Sequence, residues 1–352
     1  MITYFKRNEE MKKTTLMMWI ASVALSLALV GCTKETATGP GGDPIADADK
    51  QAVRSMVIQS DSLAEFSSSD ESSIDDNGMR NPDYEGLAKI GFDSESISGV
   101  SGDSTYPVKW GRRIFWDRVV RSYTVTTIGD SLANVLITKT LPGAFWVGIG
   151  TRTADTVIID TIIRKPFVET VQRNVLFRRI ARLANPLRNW IPVGVTMVEG
   201  KTDGTNDFSI VSVEITERNG SFHRLITDPL DTWFRLGLFH GSIPFFPVRD
   251  SILVRVTVQS SSEFAEGVYV RHGIDGGNLA RRRGMMPLVS TSGGVGNYTR
   301  VYERTFVTSL PPLVLIARFN AVVDVISHGS VYDNDAPFMN EFWGMPYIVA
   351  RR

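Results

Sequence analysis

The chain has one cysteine, Cys32, and four histidines in 352 residues. A single thiol excludes an intramolecular disulfide, and a cysteine-based zinc site would need more of them. His223, His240, His272 and His328 are scattered, none with a second His or Cys nearby, so metal-ligand spacing is missing too. There is no charge excess: 38 Lys+Arg meet 38 Asp+Glu, which argues against a dedicated nucleic-acid binder. Also lacking are a GxSxG elbow, a phosphate loop, an HExxH pair and a dinucleotide fingerprint. No internal repeat is visible, and no cofactor is implied. A Ser/His/Asp site assembled in space from His272, Asp275 and a serine stays open beside ordinary surface or half-buried histidines.

What is present begins at the N-terminus. Residues 11–32 read MKKTTLMMWIASVALSLALVGC. Lys12 and Lys13 precede an apolar run from Leu16 to Val30, the layout of a secretory signal rather than a membrane span. Glu9 and Glu10 suit such a region poorly, so Met11 is the expected start. The ending Leu29-Val30-Gly31-Cys32 resembles the lipobox of bacterial lipoproteins. The resemblance implies a signal over 1–32, lipidation at Cys32 and membrane attachment through it. With Thr33 next, it also implies an outer-membrane location. Residues 33–44, rich in Gly, Thr and Pro, read as a flexible tether.

The chain from 45 to 200 predicts an α+β unit. Ala46 to Phe66 repeats apolar residues at helical spacing after Asp43-Pro44. Ser67 to Gly78 is an acidic run read as a loop. From Lys109 on, runs rich in Val, Ile and Thr (114–127, 131–140, 144–151, 156–170, 175–183 and 189–198) are separated by turn signals such as Pro142-Gly143, which predicts an antiparallel meander. A leading helix, long strands and a closing strand starting at Trp190 resemble the nuclear-transport-factor-2-like (cystatin-like) cone. After a linker at 201–207, residues 208–352 carry seven short β runs and an Asn219-Gly220 hairpin signal. That pattern resembles an immunoglobulin-like β-sandwich. The expected fold is therefore α+β and mostly antiparallel β: a helix on a curved meander, then a sandwich. Its tail, 333–352, is too apolar to hang loose.

Few residues suggest a site. Gly293 to Asn297 reads as a hairpin turn rather than a phosphate cradle. Asp333, Asn334 and Asp335 offer oxygen ligands of the kind calcium takes, or a tight turn. Phe245 and Phe246, between prolines where no regular element is expected to run, fit a ligand-contact loop or a hydrophobic plug.

Charge by region is more informative. Residues 33–108 hold 5 basic and 15 acidic residues (−10), residues 109–188 hold 14 and 5 (+9), and residues 189–352 hold 15 and 16 (−1). Arg118, Arg121, Arg164, Arg173 and Arg179 fall on β runs, where Arg118 with Arg164, or Arg173 with Arg179, would share a solvated, anion-facing patch. The alternative is that the acidic N-terminal segment lies over this sheet and neutralises it.

The expectation is thus a non-enzymatic, lipid-anchored envelope protein that binds an envelope protein or glycan or serves in assembly, with no nucleic-acid partner. The alternatives are a structural subunit of an extracellular assembly, and an enzyme with a first-domain pocket lined by Asp117, Asp130, Asp160 or Glu169.

Overall fold

Two strands of unusual length organise the protein. The computed structural model describes residues 46–59, 75–76, 106–152, 157–204, 206–218, 220–236, 242–272, 282–310 and 313–351. The expected signal and tether, with Cys32, lie outside them. Within this set, β3 (Leu132–Arg152) and β4 (Val157–Arg179) run 21 and 23 residues and pair antiparallel along their whole length. At roughly 3.3 Å per residue such a ribbon is about 70 Å long, more than any single neighbour can cover.

Neighbours therefore stand end to end. β2 (Val120–Ile128) and β1 (Tyr106–Ile114) share the outer side of β3. β5 (Trp190–Thr196) and β6 (Val198–Thr202) share the outer side of β4. This arrangement corrects the turn expected at Pro142-Gly143. Pro142 sits where β2 ends and β1 begins, so its missing N–H deprives no partner, and the strand runs straight through it. Gly143 follows because a Cβ there would meet the Phe167 ring at 2.3 Å and the Arg113 carbonyl at 2.6 Å. The two runs expected over 156–183 are likewise the single strand β4.

The helix α1 (Asp47–Gln59) buries Ala52, Val53 and Val57, and the last two pack with Ala133, Val135, Val175, Phe177 and Trp190 of the curled sheet. Its first turn is pinned by Asp49, whose carboxylate accepts from Trp190 Nε1 at 3.0 Å and pairs with Arg179 at 2.5 Å. The expected continuation to Phe66 falls outside the described residues.

The remaining strands are β7 (Phe208–Glu217), β8 (His223–Ile226), β9 (Trp233–Arg235), β10 (Phe245–Pro247), β11 (Ser251–Ser260), β12 (Gly267–His272), β13 (Arg282–Met285), β14 (Leu288–Gly294), β15 (Asn297–Val307), β16 (Ile316–Ile326) and β17 (Asn340–Ala350). The one-turn helix α2 (His328–Tyr332) lies between the last two. A five-stranded sheet, β14-β15-β11-β7-β8, faces a twelve-stranded one ordered β1-β3-β4-β6-β17-β16-β12-β13, with β2, β5, β9 and β10 attached at its sides. The fold is α+β and mostly antiparallel β, with a short N-terminal helix on a curled sheet and a second, sandwich-forming sheet.

The boundary expected at 201–207 separates nothing. β6 pairs with β17 (Glu341↔Lys201, Gly344↔Val198), and residues 43–352 cluster as one unit. The segment is the short crossover from one layer to the other. The apolar tail is β17, buried at every position in the middle of the large sheet. Trp343, Met345, Tyr347 and Val349 belong to the sandwich core, while Phe342 joins Ile114, Leu141, Val171, Val198 and Val322 on the other face. Gly200 makes room, since a Cβ there would fall 2.1 Å from the Phe342 ring. Among the described residues no helix is long and apolar enough to cross a membrane.

Candidate functional site

On β4 the alternation of a strand turns Lys165, Phe167, Glu169, Val171, Arg173, Val175 and Phe177 inward. Charge is thus threaded through an apolar face. Arg112 of β1 donates to Glu169 at 2.8 Å and to Asp324 of β16 at 2.6 Å, and all three side chains are fully buried. Arg271 of β12 pairs with the same Asp324 at 2.9 Å and with Asp76 at 2.7 Å. Asp76 also accepts from the Arg112 backbone N–H at 2.8 Å and stands 3.4 Å from Arg283. Three guanidinium groups thus meet three carboxylates.

Solvent is excluded, so the charges set one another's ionisation. Burial by itself would raise Asp76, but Arg271, Arg283 and Arg112 hold it down at about 2. Burial raises Glu169 despite Arg112. Burial opposes the Arg271 cation, yet Asp76 and Asp324 more than offset it and push its pKa upward. Asp75, buried beside Asp76, is pushed up to about 6 by desolvation, against a 2.7 Å hydrogen bond from Trp116 Nε1. Glu169 has the raised pKa that an enzymatic site in the first half would need, but it is sealed in this cluster. Asp117 and Asp130 are surface partners of Arg118 and Arg182, and Asp160 is exposed.

Four of the five arginines divide by strand face, while Arg118 lies not on the expected β run but in the short 3-10 turn Trp116–Arg118 that interrupts it between β1 and β2. Arg118 and Arg164 do meet, both over the Phe115 ring at 5.3 and 5.9 Å, with Arg164 also 5.4 Å from Trp146. Arg121 is exposed nearby on β2. Arg173 and Arg179 do not share a solvated patch, because their odd positions on β4 face inward. Arg173 is buried, and Arg179 is held by Asp49 and lies 4.9 Å over Trp190. Acidic residues 49 and 76 therefore sit against basic ones, the first near the Arg179 end of the ribbon and the second beside its interior, at Arg112.

Asp333 Oδ1 accepts from the backbone N–H groups of Asp335 and Ala336, the geometry of a turn. Lys165 reaches the Asp333 carbonyl. Among the described residues no three His, Cys, Asp or Glu side chains group as metal ligands. Phe245 and Phe246 also part company. The loop expected there is the short strand β10, parallel to β17, with Phe246 buried against Phe222 and Tyr347 and Phe245 exposed.

A cavity of about 220 Å³ lies where the ends of β12, β13 and β14 meet α2. Trp110, Tyr269 and Tyr302 form its aromatic lining, with Glu266, His328 and Tyr332 among the polar or amphipathic groups. Ser327 caps α2, its hydroxyl accepting from the Ser330 N–H. His328 and Tyr332, four residues apart on one helix face, stack at 4.4 Å, and Phe264 stacks on the other face of His328 at 4.7 Å. Phe264 and Tyr332 are exposed at 53% and 46%, so this ladder of rings opens to solvent.

The ladder is held rigidly from behind. Buried Arg300 donates to Glu266 at 2.8 Å and to the carbonyls of Ser262, Glu263 and Phe264, fixing the loop that carries Phe264. Tyr302 donates to the other Glu266 oxygen at 2.9 Å. Burial raises the Tyr302 pKa, burial lowers that of His328, and Tyr269 is pushed up to about 12 by desolvation. Tyr269, Tyr302 and Tyr332 therefore present neutral phenols near neutral pH.

No family model, curated protein or solved structure matches the chain.

None of the cavity residues was singled out as a ligand site by sequence pattern. His328 counted only as a scattered histidine, although its spacing to Tyr332 on a short helix was a readable local signal. Trp110, Glu266 and Arg300 come from three distant strands or loops, and nothing local relates them. His272 stacks on Phe306 at 4.4 Å, and its suggested partner Asp275 lies outside the described residues.

Proposed function

We propose that the chain is a lipid-anchored protein of the bacterial outer membrane that works as a non-enzymatic binding module, with the aromatic cavity beside α2 as its ligand site. The lipobox resemblance at Leu29–Cys32 supports the anchoring. The ring ladder Phe264–His328–Tyr332 at the mouth of an aromatic cavity carries the binding reading. Rigid, half-exposed rings bury a flat apolar face at small entropic cost, while the tyrosine hydroxyls offer hydrogen bonds.

At about 220 Å³ the cavity is smaller than the roughly 300–1,000 Å³ of sites for drug-sized ligands. It suits one ring of a larger molecule, such as a sugar unit of an envelope glycan. Glu266 is committed to Arg300 and Tyr302, and so serves as a support rather than as an acid or base. The cone-like resemblance of 45–200 is supported by α1 on a curled sheet, and the immunoglobulin-like one by the sandwich. A filled inner face on β4 weighs against a first-domain active site.

Two measurements test this. Trp fluorescence titrated with mono- and disaccharides of envelope glycans should respond in the parent, with affinity about tenfold weaker in Tyr332→Ala. No response to any of them would remove the glycan reading. Labelled fatty acid should be incorporated in a bacterial host and lost in Cys32→Ala; labelling that persists in the variant would remove the anchor.

A further inference from the structure

A strand at the edge of a sheet presents a row of unpaired N–H and C=O groups, a template for another chain. The edge strands among the described residues are β1, β2, β8, β9, β10, β13 and β14. Six of them are guarded. On β1 the Arg112 N–H and C=O are already taken by Asp76, β2 carries Arg121, β8 Arg224, β9 Arg235, and β13 Arg283. β10 is three residues long and ends in Pro247. Charge, proline and shortness are the usual protections of an edge.

β14 has none of the three, and its one irregularity, a register shift between Leu288 and Ser290, leaves residues 290–294 regularly paired. Leu288–Gly294 contains no charged residue and no proline, and all seven of its residues are exposed. The charge-free stretch extends from Gly284 to Thr299. β15 pairs with one side of β14, and no described strand stands on the other. Val289 and Val295 are 56% and 96% exposed along the same hairpin.

We infer that β14 is the interface through which two copies of this chain join, paired antiparallel edge to edge about a two-fold axis. An open backbone edge is satisfied by another extended strand, and charge selects which strand. Two-fold pairing brings two copies of one strand side by side, so an edge that carries exposed arginines would bring like charges close together. β14 opposes none, and the joint makes one continuous sheet from two five-stranded ones. Leu288 belongs both to this edge and to the cavity lining, so the joint lies beside the cavity mouth.

The inference does not depend on the ligand or the anchor, and it is tested on the full chain in detergent solution. Sedimentation velocity over a concentration series compares the parent with Thr291→Arg, at the middle of β14, and with Leu225→Arg, exposed on β8 at the opposite edge of the same sheet. The parent and Leu225→Arg should dimerise, and Thr291→Arg should dissociate about tenfold more readily while melting at the parent temperature. Should Thr291→Arg fail to fold, cysteines placed one at a time at 290, 291 and 292 decide. At least one should give an oxidised dimer that the unsubstituted chain, with Cys32 alone, does not. A parent that stays monomeric overturns the inference, as does a dimer that Thr291→Arg leaves intact or that none of the three cysteines cross-links.

Discussion

Arg112 holds Asp324 at 2.6 Å across 212 residues of sequence, with both side chains fully buried. The same carboxylate takes Arg271 Nε at 3.0 Å, and Arg112 reaches Glu169 at 2.8 Å, so β1, β4, β12 and β16 meet at one knot of charge. A buried pair of this kind is weak evidence of net stability, because desolvation cancels most of the attraction. Removing one member is a different matter, since its partners stay behind without compensation.

Asp324→Ala is therefore expected to cost about 3–5 kcal/mol, measured by urea unfolding. Asp117→Ala, which breaks an exposed 3.8 Å contact with Arg118, should cost less than about 0.5 kcal/mol. Equal losses would show that the buried knot is not special.

Acid should act through Asp76. Its folded pKa is held at about 2 against an ordinary 3.8, so its contribution is complete above pH 3.8 and is lost as pH falls towards 2. Asp76→Asn should lower stability at neutral pH and flatten the loss across that window, read from unfolding midpoints at pH 2–5. A variant curve parallel to the parent's would refute the assignment.

Glu341 works in the opposite direction. Burial pushes it up from 4.5 to about 7, while the Ile210 N–H hydrogen bond lowers it and Glu199 raises it further. The folded protein thus retains a proton that the unfolded chain releases, and stability declines as pH rises from 4.5 to 7. Glu341→Gln should remove that decline, at most about 1.4 kcal/mol per pH unit, in melting temperatures taken from pH 4 to 8.

Gly143→Ala should destabilise by about 1–3 kcal/mol through overpacking, because the new methyl meets both the Phe167 ring and the Arg113 carbonyl. Adding Phe167→Leu should restore only part of the loss, since the backbone oxygen remains. Full rescue in thermal melts would locate the strain in the ring alone.

A chain ending at Ser327 lacks β17 and should not fold. Both cores lose a strand buried at every position, and β6, β10 and β16 lose a partner. Circular dichroism of the truncated chain should show no cooperative melt, and a folded monomer would mean that the tail serves an interface instead.

Local pattern determined a great deal of this protein. β7, β11 and β12 begin and end where alternation and turn residues place them, and the Gly293–Asn297 segment is the hairpin turn its glycines suggest. Apolar spacing also marked α1 and the buried tail, because burial on one face leaves a period that sequence carries openly. Pro142-Gly143 misled because a proline breaks a strand only where its N–H is needed, and that depends on the neighbour across the gap. The division at 201–207 misled for a related reason: strand pairing joins residues regardless of their separation, and β17 completes a sheet begun two hundred residues earlier.

The regional charge imbalance was legible in composition, −10 beside +9. Which charges meet was not, since strand parity turns Arg173 and Arg179 inward and Arg164 outward, where it meets Arg118 of the 116–118 turn. The amino-acid sequence alone determined the strand-rich α+β class, the helix and the candidate anchor cysteine, all of which follow from local periodicity or short motifs. Only the tertiary structure decided the single body, the charged knot, the aromatic cavity and the unguarded edge, because each is made by residues whose proximity is a property of sheet order and register.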